Sequence, residues 1–255
     1  MWTPLEQFEI ISLISLKMFN FDFSITNLLV IILIIILVVN IAFQLTARHF
    51  SNLKKYSFFF VPNNWQFFAE SSFKTVLKLL FDNLNQHGEI FSPFISIIFL
   101  FITICNLMGL IPYSFTITSQ LIITFMMSFS IFIGINIIGY KLHKQKLISL
   151  FMPANTSFSL ALILIPIEFV SYLAKPVSLG VRLFINLMAG HTLLKVIVGF
   201  SWSILILENI STFIHVIPLI ILVILVGLEL AVALIQAYVF VILACIYLND
   251  SINLH

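Results

Sequence analysis

The chain has 255 residues, of which 61% are hydrophobic and only 9% are charged. Soluble domains carry about 25% charged residues, so this composition excludes an ordinary soluble protein and indicates a membrane protein. The formal net charge of +2 is too small to indicate binding to nucleic acid. Cys105 and Cys245 both lie in apolar runs without a CxxC pattern, so we expect buried small side chains, with no metal site and no cofactor.

The N-terminal segment, residues 1–22, carries three acidic residues. A transit peptide is rich in Arg and poor in acids, and a signal peptide starts with basic residues. We therefore expect no cleavable targeting sequence, and a mitochondrial protein of this kind would be made inside the organelle. Residues 23–47 contain no Asp, Glu, Lys or Arg and are long enough for one membrane span, which needs about 20 residues.

Basic residues follow this first span at Arg48, Lys54 and Lys55. The positive-inside rule places them on the side where the protein is made, so the N-terminus faces the opposite side. Residues 62–90 differ in character and predict an amphipathic helix on the membrane surface. Pro62 and the pair Asn63–Asn64 suit the start of this helix, and an ordinary loop helix is the alternative. The residues predicted on its apolar face are Trp65, Phe68, Ser72 or Phe73, Val76 and Leu80.

Residues 91–140 again contain no charged side chain. A break near Pro112 predicts two spans joined by a short turn. The lysines that follow, Lys141, Lys144 and Lys146, then fall on the same side as Arg48, so charge and topology agree.

Residues 157–249 hold two apolar stretches, 157–200 and 204–249, that exceed the length of a perpendicular span. Overlong helices tilt or bend, and the predicted bends are Pro166, Pro176, Gly180, Pro218 and Gly227. No internal repeat is visible, which argues against a transporter built from inverted repeats.

Seven charged residues follow position 150: Glu168, Lys175, Arg182, Lys195, Glu208, Glu229 and Asp250. Arg182 is the most informative, because it stays charged and its placement in mid-span costs about 2.5 to 3.5 kcal/mol on insertion scales. Such a residue faces a cavity, a partner or an ion pathway. The alternative is a structural ion pair with Glu168 or Glu229. For Lys175, Lys195 and Glu208 we expect snorkelling or helix capping, and for His215 an interfacial position.

Helical geometry places several of these side chains on common faces. Glu168 and Arg182 share a face about 21 Å apart, and Asn186 follows Arg182 by one turn, since a helix turns about 100° and rises about 1.5 Å per residue. His191 points the other way. Glu229 and Gln236 share a face of the last helix. An antiparallel arrangement would therefore set His191 beside Glu229 and Gln236 near Arg182. A carboxylate and an imidazole can carry protons, whereas arginine is a fixed charge.

The segment "SLGVRLFINLMAGH" at residues 178–191 resembles the signature of the subunit a family of ATP synthases, in particular its mitochondrial branch, the subunit 6 proteins of plants and protists. The stretches "TPLEQFEI", "VPNNWQ", "CNLMGLIPYSFT", "LELAVALIQAYVF" and "IYLNDSINLH" are similar as well. The resemblance implies an all-α polytopic membrane protein. One upright span and an amphipathic surface helix precede two tilted spans and a hairpin of two long inclined helices, which lies against the ring of c subunits.

The resemblance also implies a role for each candidate site residue. Arg182 would be the essential arginine facing the c-ring, with Asn186 and Gln236 beside it. His191 and Glu229 would form the relay of the half-channel from the intermembrane space; in bacterial relatives these two residue types are exchanged. Glu168 would belong to the half-channel that opens to the matrix. Asp250 would match a recurrent carboxylate near the matrix side.

The implied function is proton translocation by a non-catalytic stator subunit of the Fo sector, in the mitochondrial inner membrane with its N-terminus towards the intermembrane space. The implied partners are the c-ring, the peripheral stalk and other Fo subunits, membrane lipid and transported protons, with no nucleic acid. The chain has no GxxxxGK[ST] phosphate loop, so we expect no ATP chemistry in it. Two alternatives are a secondary transporter and a respiratory-complex subunit that binds haem or quinone.

Overall fold

The computed structural model describes residues 6–18, 21–51, 64–84, 88–111, 114–144, 158–206 and 212–252. Six α-helices dominate these residues: α1 (Asn27–Ser51), α2 (Asn64–Leu84), α3 (Gly88–Gly109), α4 (Leu121–His143), α5 (Phe158–Ile206) and α6 (Thr212–Ile252). Four helical segments are long and apolar enough to cross a membrane: Gly88–Gly109, Leu121–His143, Leu160–Ile204 and Val216–Ile252. The predicted all-α membrane fold is confirmed. That α5 and α6 are inclined and lie against a ring of c subunits stays a prediction.

Some sequence features that carried predictions lie outside the described residues. They are the helix start at Pro62 and Asn63, the break at Pro112, the basic residues Lys54, Lys55 and Lys146, and Glu208. The helix backbone is described at Arg48, Trp65 and His215, but their side chains are not.

The N-terminal segment contains short strands, which the sequence reasoning did not predict. After a 3₁₀ turn (Glu6–Phe8), β1 (Ser12–Ile14) pairs antiparallel with β4 (Ile25–Thr26), and β2 (Lys17–Met18) pairs antiparallel with β3 (Phe21–Asp22). The Asn27 side chain joins the ends of this segment, because its Nδ2 donates to the Glu9 carbonyl and its Oδ1 accepts from the Ile11 amide. Helix α1 therefore starts at Asn27, four residues after the predicted start of the span.

Helix α2 has one buried stripe, as an amphipathic helix requires. Val76 and Leu80 are buried as predicted, and Leu79 and Leu84 extend the stripe. Phe68 and Phe73 are exposed, and Ser72, the predicted alternative to Phe73, is half-buried. The start of α3 packs against this stripe at Leu80. A Cβ on Gly88 would lie 3.1 Å from the Leu80 carbonyl oxygen. Residues 88–90 thus belong to α3 rather than to the surface helix.

The described chain divides into two compact units. The first comprises Met1–Ala47, Leu100–Gln120 and Phe184–Ala237, and the second comprises Arg48–Phe99, Leu121–Leu183 and Tyr238–His255. Cys105 of the first unit and Cys245 of the second are both buried and free, as predicted. Helices α5 and α6 continue through Pro166, Pro176 and Pro218.

In the second unit, α5 approaches α4 closely at Gly180, two residues before Arg182. A Cβ on Gly180 would lie 2.7 Å from Ser128 Oγ and 3.0 Å from the Thr124 carbonyl oxygen. Any larger residue would separate the two helices, because such contacts are shorter than van der Waals distance. The glycine of the "SLGVR" motif is therefore a packing requirement.

Candidate functional site

Helices α5 and α6 pair antiparallel within the first unit, through two side-chain contacts. Asn186 Nδ2 donates to Gln236 Oε1 at 2.8 Å, and His191 Nδ1 lies 3.2 Å from Glu229 Oε1. The residue number increases along α5 from Asn186 to His191, while that of the partner on α6 decreases from Gln236 to Glu229, as an antiparallel arrangement requires. The prediction that His191 lies beside Glu229 is confirmed.

The His191–Glu229 pair is enclosed and short of partners. The side chains are only 14% and 7% exposed. Among the described residues, His191 Nε2 and both Glu229 carboxylate oxygens have no hydrogen-bond partner of acceptable geometry, although the Nδ1–Oε1 separation is within ion-pair distance. Buried polar atoms in proteins are almost always satisfied by protein or water. These three atoms therefore remain available to a water molecule or another hydrogen-bonding group.

Two glycines lie close to this pair and its surroundings, where a larger residue would not fit. A Cβ on Gly190 would lie 2.8 Å from Glu229 Oε1, closer than van der Waals contact. A Cβ on Gly109 would lie 2.9 Å from Thr116 Cγ2 and 3.7 Å from His191 Nε2. Gly190 of "AGH" thus makes room for Glu229, whereas Gly109 of "CNLMGL" makes room for Thr116 beside His191. Sequence reasoning assigned neither glycine a role.

The N-terminal segment contributes a wall beside His191. The Phe8 ring centroid lies 6.4 Å from that of the imidazole, and Gln120 Nε2 donates to the Phe8 carbonyl at 2.7 Å. These contacts join residues more than 100 positions apart, so no periodic pattern in the sequence indicated Phe8.

A further buried amide belongs to the first unit. Asn106 is fully buried on α3, and its Nδ2 donates to the Ala233 carbonyl on α6 at 3.1 Å. Its Oδ1 has no partner among the described residues. The signal that could have identified Asn106 is an amide in an otherwise apolar span.

The second unit holds the arginine and the other predicted carboxylates. Arg182 is exposed on α5, and among the described residues of its own unit no carboxylate lies within ion-pair distance of its guanidinium. A structural ion pair with Glu168 is therefore absent there, and Glu168 itself is half-buried on the same helix. The proximity of Gln236 to Arg182 stays a prediction.

Asp250 has a partner that the sequence reasoning did not assign. Its Oδ2 lies 3.0 Å from Lys175 Nζ on α5. Lys175 is therefore engaged by a carboxylate instead of only snorkelling. No group of three or more His, Cys, Asp or Glu side chains that could hold a metal is present in the described part of the chain.

The first unit thus holds an enclosed imidazole–carboxylate pair and the second unit holds an exposed arginine, on long apolar helices. The chain matches the family model of the ATP synthase A chain over residues 27–249. It is 48% identical to ATP synthase subunit a of the alga Pylaiella littoralis, over 99% of both chains. It is 44% identical to that of Chondrus crispus and 45% identical to that of Brassica napus, each over 99% of this chain and 97% of the relative.

These matches cover the apolar helices and each candidate residue from Glu168 to Glu229. The relatives have the same length as this chain to within a few per cent. A match over most of the chain at such identity establishes common descent and a common fold. The chain therefore belongs to the ATP synthase A chain family, the a subunits of ATP synthases.

Proposed function

We propose that the chain is the proton-translocating stator subunit of the Fo sector, with two offset half-channels and one arginine between them. The observation that carries the proposal is the enclosed His191–Glu229 pair, in which His191 Nε2 and both Glu229 carboxylate oxygens lack a hydrogen-bond partner among the described residues. A pair that takes no part in transport would be expected to satisfy those atoms within the fold. Family membership supplies the complex in which the pair acts.

Protons reach the c-ring by way of His191 and Glu229, which are close enough for direct or water-mediated transfer at 3.2 Å. The proton then neutralises a carboxylate on a c subunit. A neutral carboxyl group can enter lipid, whereas an unpaired charge there is expensive. The part-buried Asn186–Gln236 hydrogen bond keeps two amides at the same α5–α6 contact, where they can orient that carboxyl group.

After nearly a full turn of the ring, the proton leaves through the half-channel of Glu168 and Asp250. Arg182 attracts the ionised ring carboxylate and prevents direct proton transfer between the two half-channels. Its exposed guanidinium supports this role, as does the absence of a carboxylate within ion-pair distance among the described residues of its own unit. Each proton that crosses the membrane potential supplies about 2.3 kcal/mol per 100 mV.

The chain itself does no phosphoryl chemistry in this proposal, and other subunits make the ATP. Its partners are the c-ring, the peripheral stalk and other Fo subunits, together with lipid on the exposed apolar side chains of the long helices. The location is the mitochondrial inner membrane, with the protein made in the organelle and the N-terminus in the intermembrane space.

Gly190→Ala tests the proposal through the geometry of the pair. The added methyl group would lie 2.8 Å from Glu229 Oε1, so the carboxylate must move by about half an ångström. Misplacement of about 1 Å at a reacting group can cost on the order of 100-fold, and we expect about tenfold slower proton conduction. The measurement is passive proton flux through vesicles that hold the complex without its ATP-making sector.

Gly199→Ala is the matched control, since it lies on the same helix and a Cβ there meets nothing within 4 Å. We expect this variant to conduct protons like the wild type. Equal rates in the two variants would contradict a role of the His191–Glu229 pair in conduction.

A further inference from the structure

Lys175 is held by groups from two helices of the second unit. Its ammonium on α5 lies 3.0 Å from Asp250 Oδ2 on α6. The side chains are 29% and 44% exposed, so the contact is accessible to water. An exposed ion pair alone contributes little to stability, and the surroundings of the lysine decide whether the contact is fixed.

Two tyrosine rings restrain the same ammonium group. Lys175 Nζ lies 5.5 Å from the ring centroid of Tyr172 and 5.1 Å from that of Tyr247. Both distances fall within the range of cation–π attraction. Each tyrosine precedes its charged neighbour by three residues, Tyr172 before Lys175 and Tyr247 before Asp250, so each ring lies on the face of the charge that follows.

Helix α4 fixes one of the rings. The Tyr172 hydroxyl donates to Asn136 Oδ1, and Asn136 Nδ2 donates to the Phe132 carbonyl at 2.9 Å. The Phe132 ring also contacts that of Tyr172, with centroids 4.9 Å apart. The flexible lysine stem therefore ends in a cage anchored on three helices.

A small cavity, with room for about one water molecule, adjoins the cage. Its lining residues include Lys175, Asp250, both tyrosines and Ser251. A carboxylate that borders a water-sized cavity can exchange a proton with that water only if its oxygen stays in place. A lysine that snorkelled to the membrane surface would leave Asp250 without this constraint.

We propose that Lys175 is a positioning residue for Asp250: it holds the Asp250 carboxylate at the water-sized cavity of the matrix half-channel and supplies its counter-charge. This inference rests on the proposed function. Lys175 does not carry the proton itself, and its effect passes through Asp250.

Lys175→Met keeps the length of the side chain and removes its charge. We expect passive proton flux per assembled complex to fall between about 10-fold and 100-fold, since misplacement of about 1 Å has that order of effect. Lys175→Arg keeps a charge that stacks on aromatic rings and should recover most of the flux. The double variant Lys175→Met with Asp250→Asn should be no slower than Asp250→Asn alone, because residues that act through one another are not additive.

Lys195→Met is the matched control on the same helix and should conduct protons like the wild type. Flux within about twofold of wild type in Lys175→Met would overturn the proposal, because a displaced carboxylate should cost at least tenfold. Exchange of the two charges, Lys175→Asp with Asp250→Lys, distinguishes positioning of the Asp250 carboxylate from an ion pair that only joins α5 to α6. Wild-type flux in that variant would mean that the pair only joins the helices, whereas slow flux in an assembled complex supports the proposal.

If Lys175→Met fails to assemble, Tyr247→Leu carries the same test, since it removes one ring and leaves both charges. Tyr140→Leu, on α4, is its control. Slower flux in Tyr247→Leu alone is expected, and equal flux in the two variants overturns the proposal. Arg182→Ala is measured in parallel: persistent proton-driven synthesis there would reject the proposed function, whereas an unaffected Lys175→Met rejects only the positioning role.

Discussion

Replacement of Arg182 with alanine is expected to abolish proton-driven ATP synthesis while the complex still assembles. The side chain is exposed, and among the described residues of its own unit no carboxylate lies within ion-pair distance of it, so its loss leaves no ion-pair partner unpaired there. In the proposed mechanism, this substitution removes the fixed charge that attracts the ring carboxylate and separates the two half-channels. The measurement is ATP synthesis by vesicles under an imposed proton gradient, with assembly followed on native gels.

Arg48→Ala is the control, because Arg48 is the other arginine of the sequence. Arg182→Lys tests the requirement for a permanent charge, since a lysine can lose its proton in an apolar setting whereas arginine does not. We expect it to synthesise ATP far more slowly than the wild type. Normal synthesis in Arg182→Ala would show that the arginine has no part in coupling.

Glu229→Gln is expected to lower passive proton conduction by at least about 100-fold, the effect of losing a positioned acid or base. The glutamine side chain has nearly the same shape as that of glutamate, so the packing should be kept. The Glu229 side chain is only 7% exposed, which leaves little room for protons to bypass it through solvent. Glutamine cannot take up or release a proton near neutral pH. The flux assay with vesicles that lack the ATP-making sector measures this loss directly.

Glu89→Gln is the matched control, since Glu89 is an exposed carboxylate in the first turn of α3. Exchange of the pair, His191→Glu with Glu229→His, should retain part of the conduction because both group types stay at the contact. If Glu229→Gln conducts like Glu89→Gln, protons do not pass through this pair.

The sequence predicted the helices and one central contact because both depend on local periodicity. Apolar runs fix where the long helices lie, and the helical repeat fixes which side chains share a face. The His191–Glu229 contact followed once the two helices were taken as antiparallel. The N-terminal strands did not follow, because the Asn27 bonds that close them join residues 16 and 18 positions apart.

The Lys175–Asp250 contact was also missed, and for a related reason. The two residues are 75 positions apart, and a single lysine in an apolar run is equally compatible with snorkelling. Its cage depends on two tyrosines and on Asn136, and none of them is unusual in a membrane helix. Phe8 and Asn106 were missed in the same way, since their contacts depend on tertiary packing.

The close approach at Gly180 has a mechanical consequence for the arginine two residues further on. A rotating ring pulls sideways on any stator charge that it attracts. At Gly180 the backbone of α5 lies close to Ser128 Oγ and the Thr124 carbonyl oxygen of α4, and the glycine adds no side chain of its own between the helices. In the proposed mechanism, the reaction force on Arg182 would pass into α4 through this close contact, and α5 would not need to flex with each passing carboxylate.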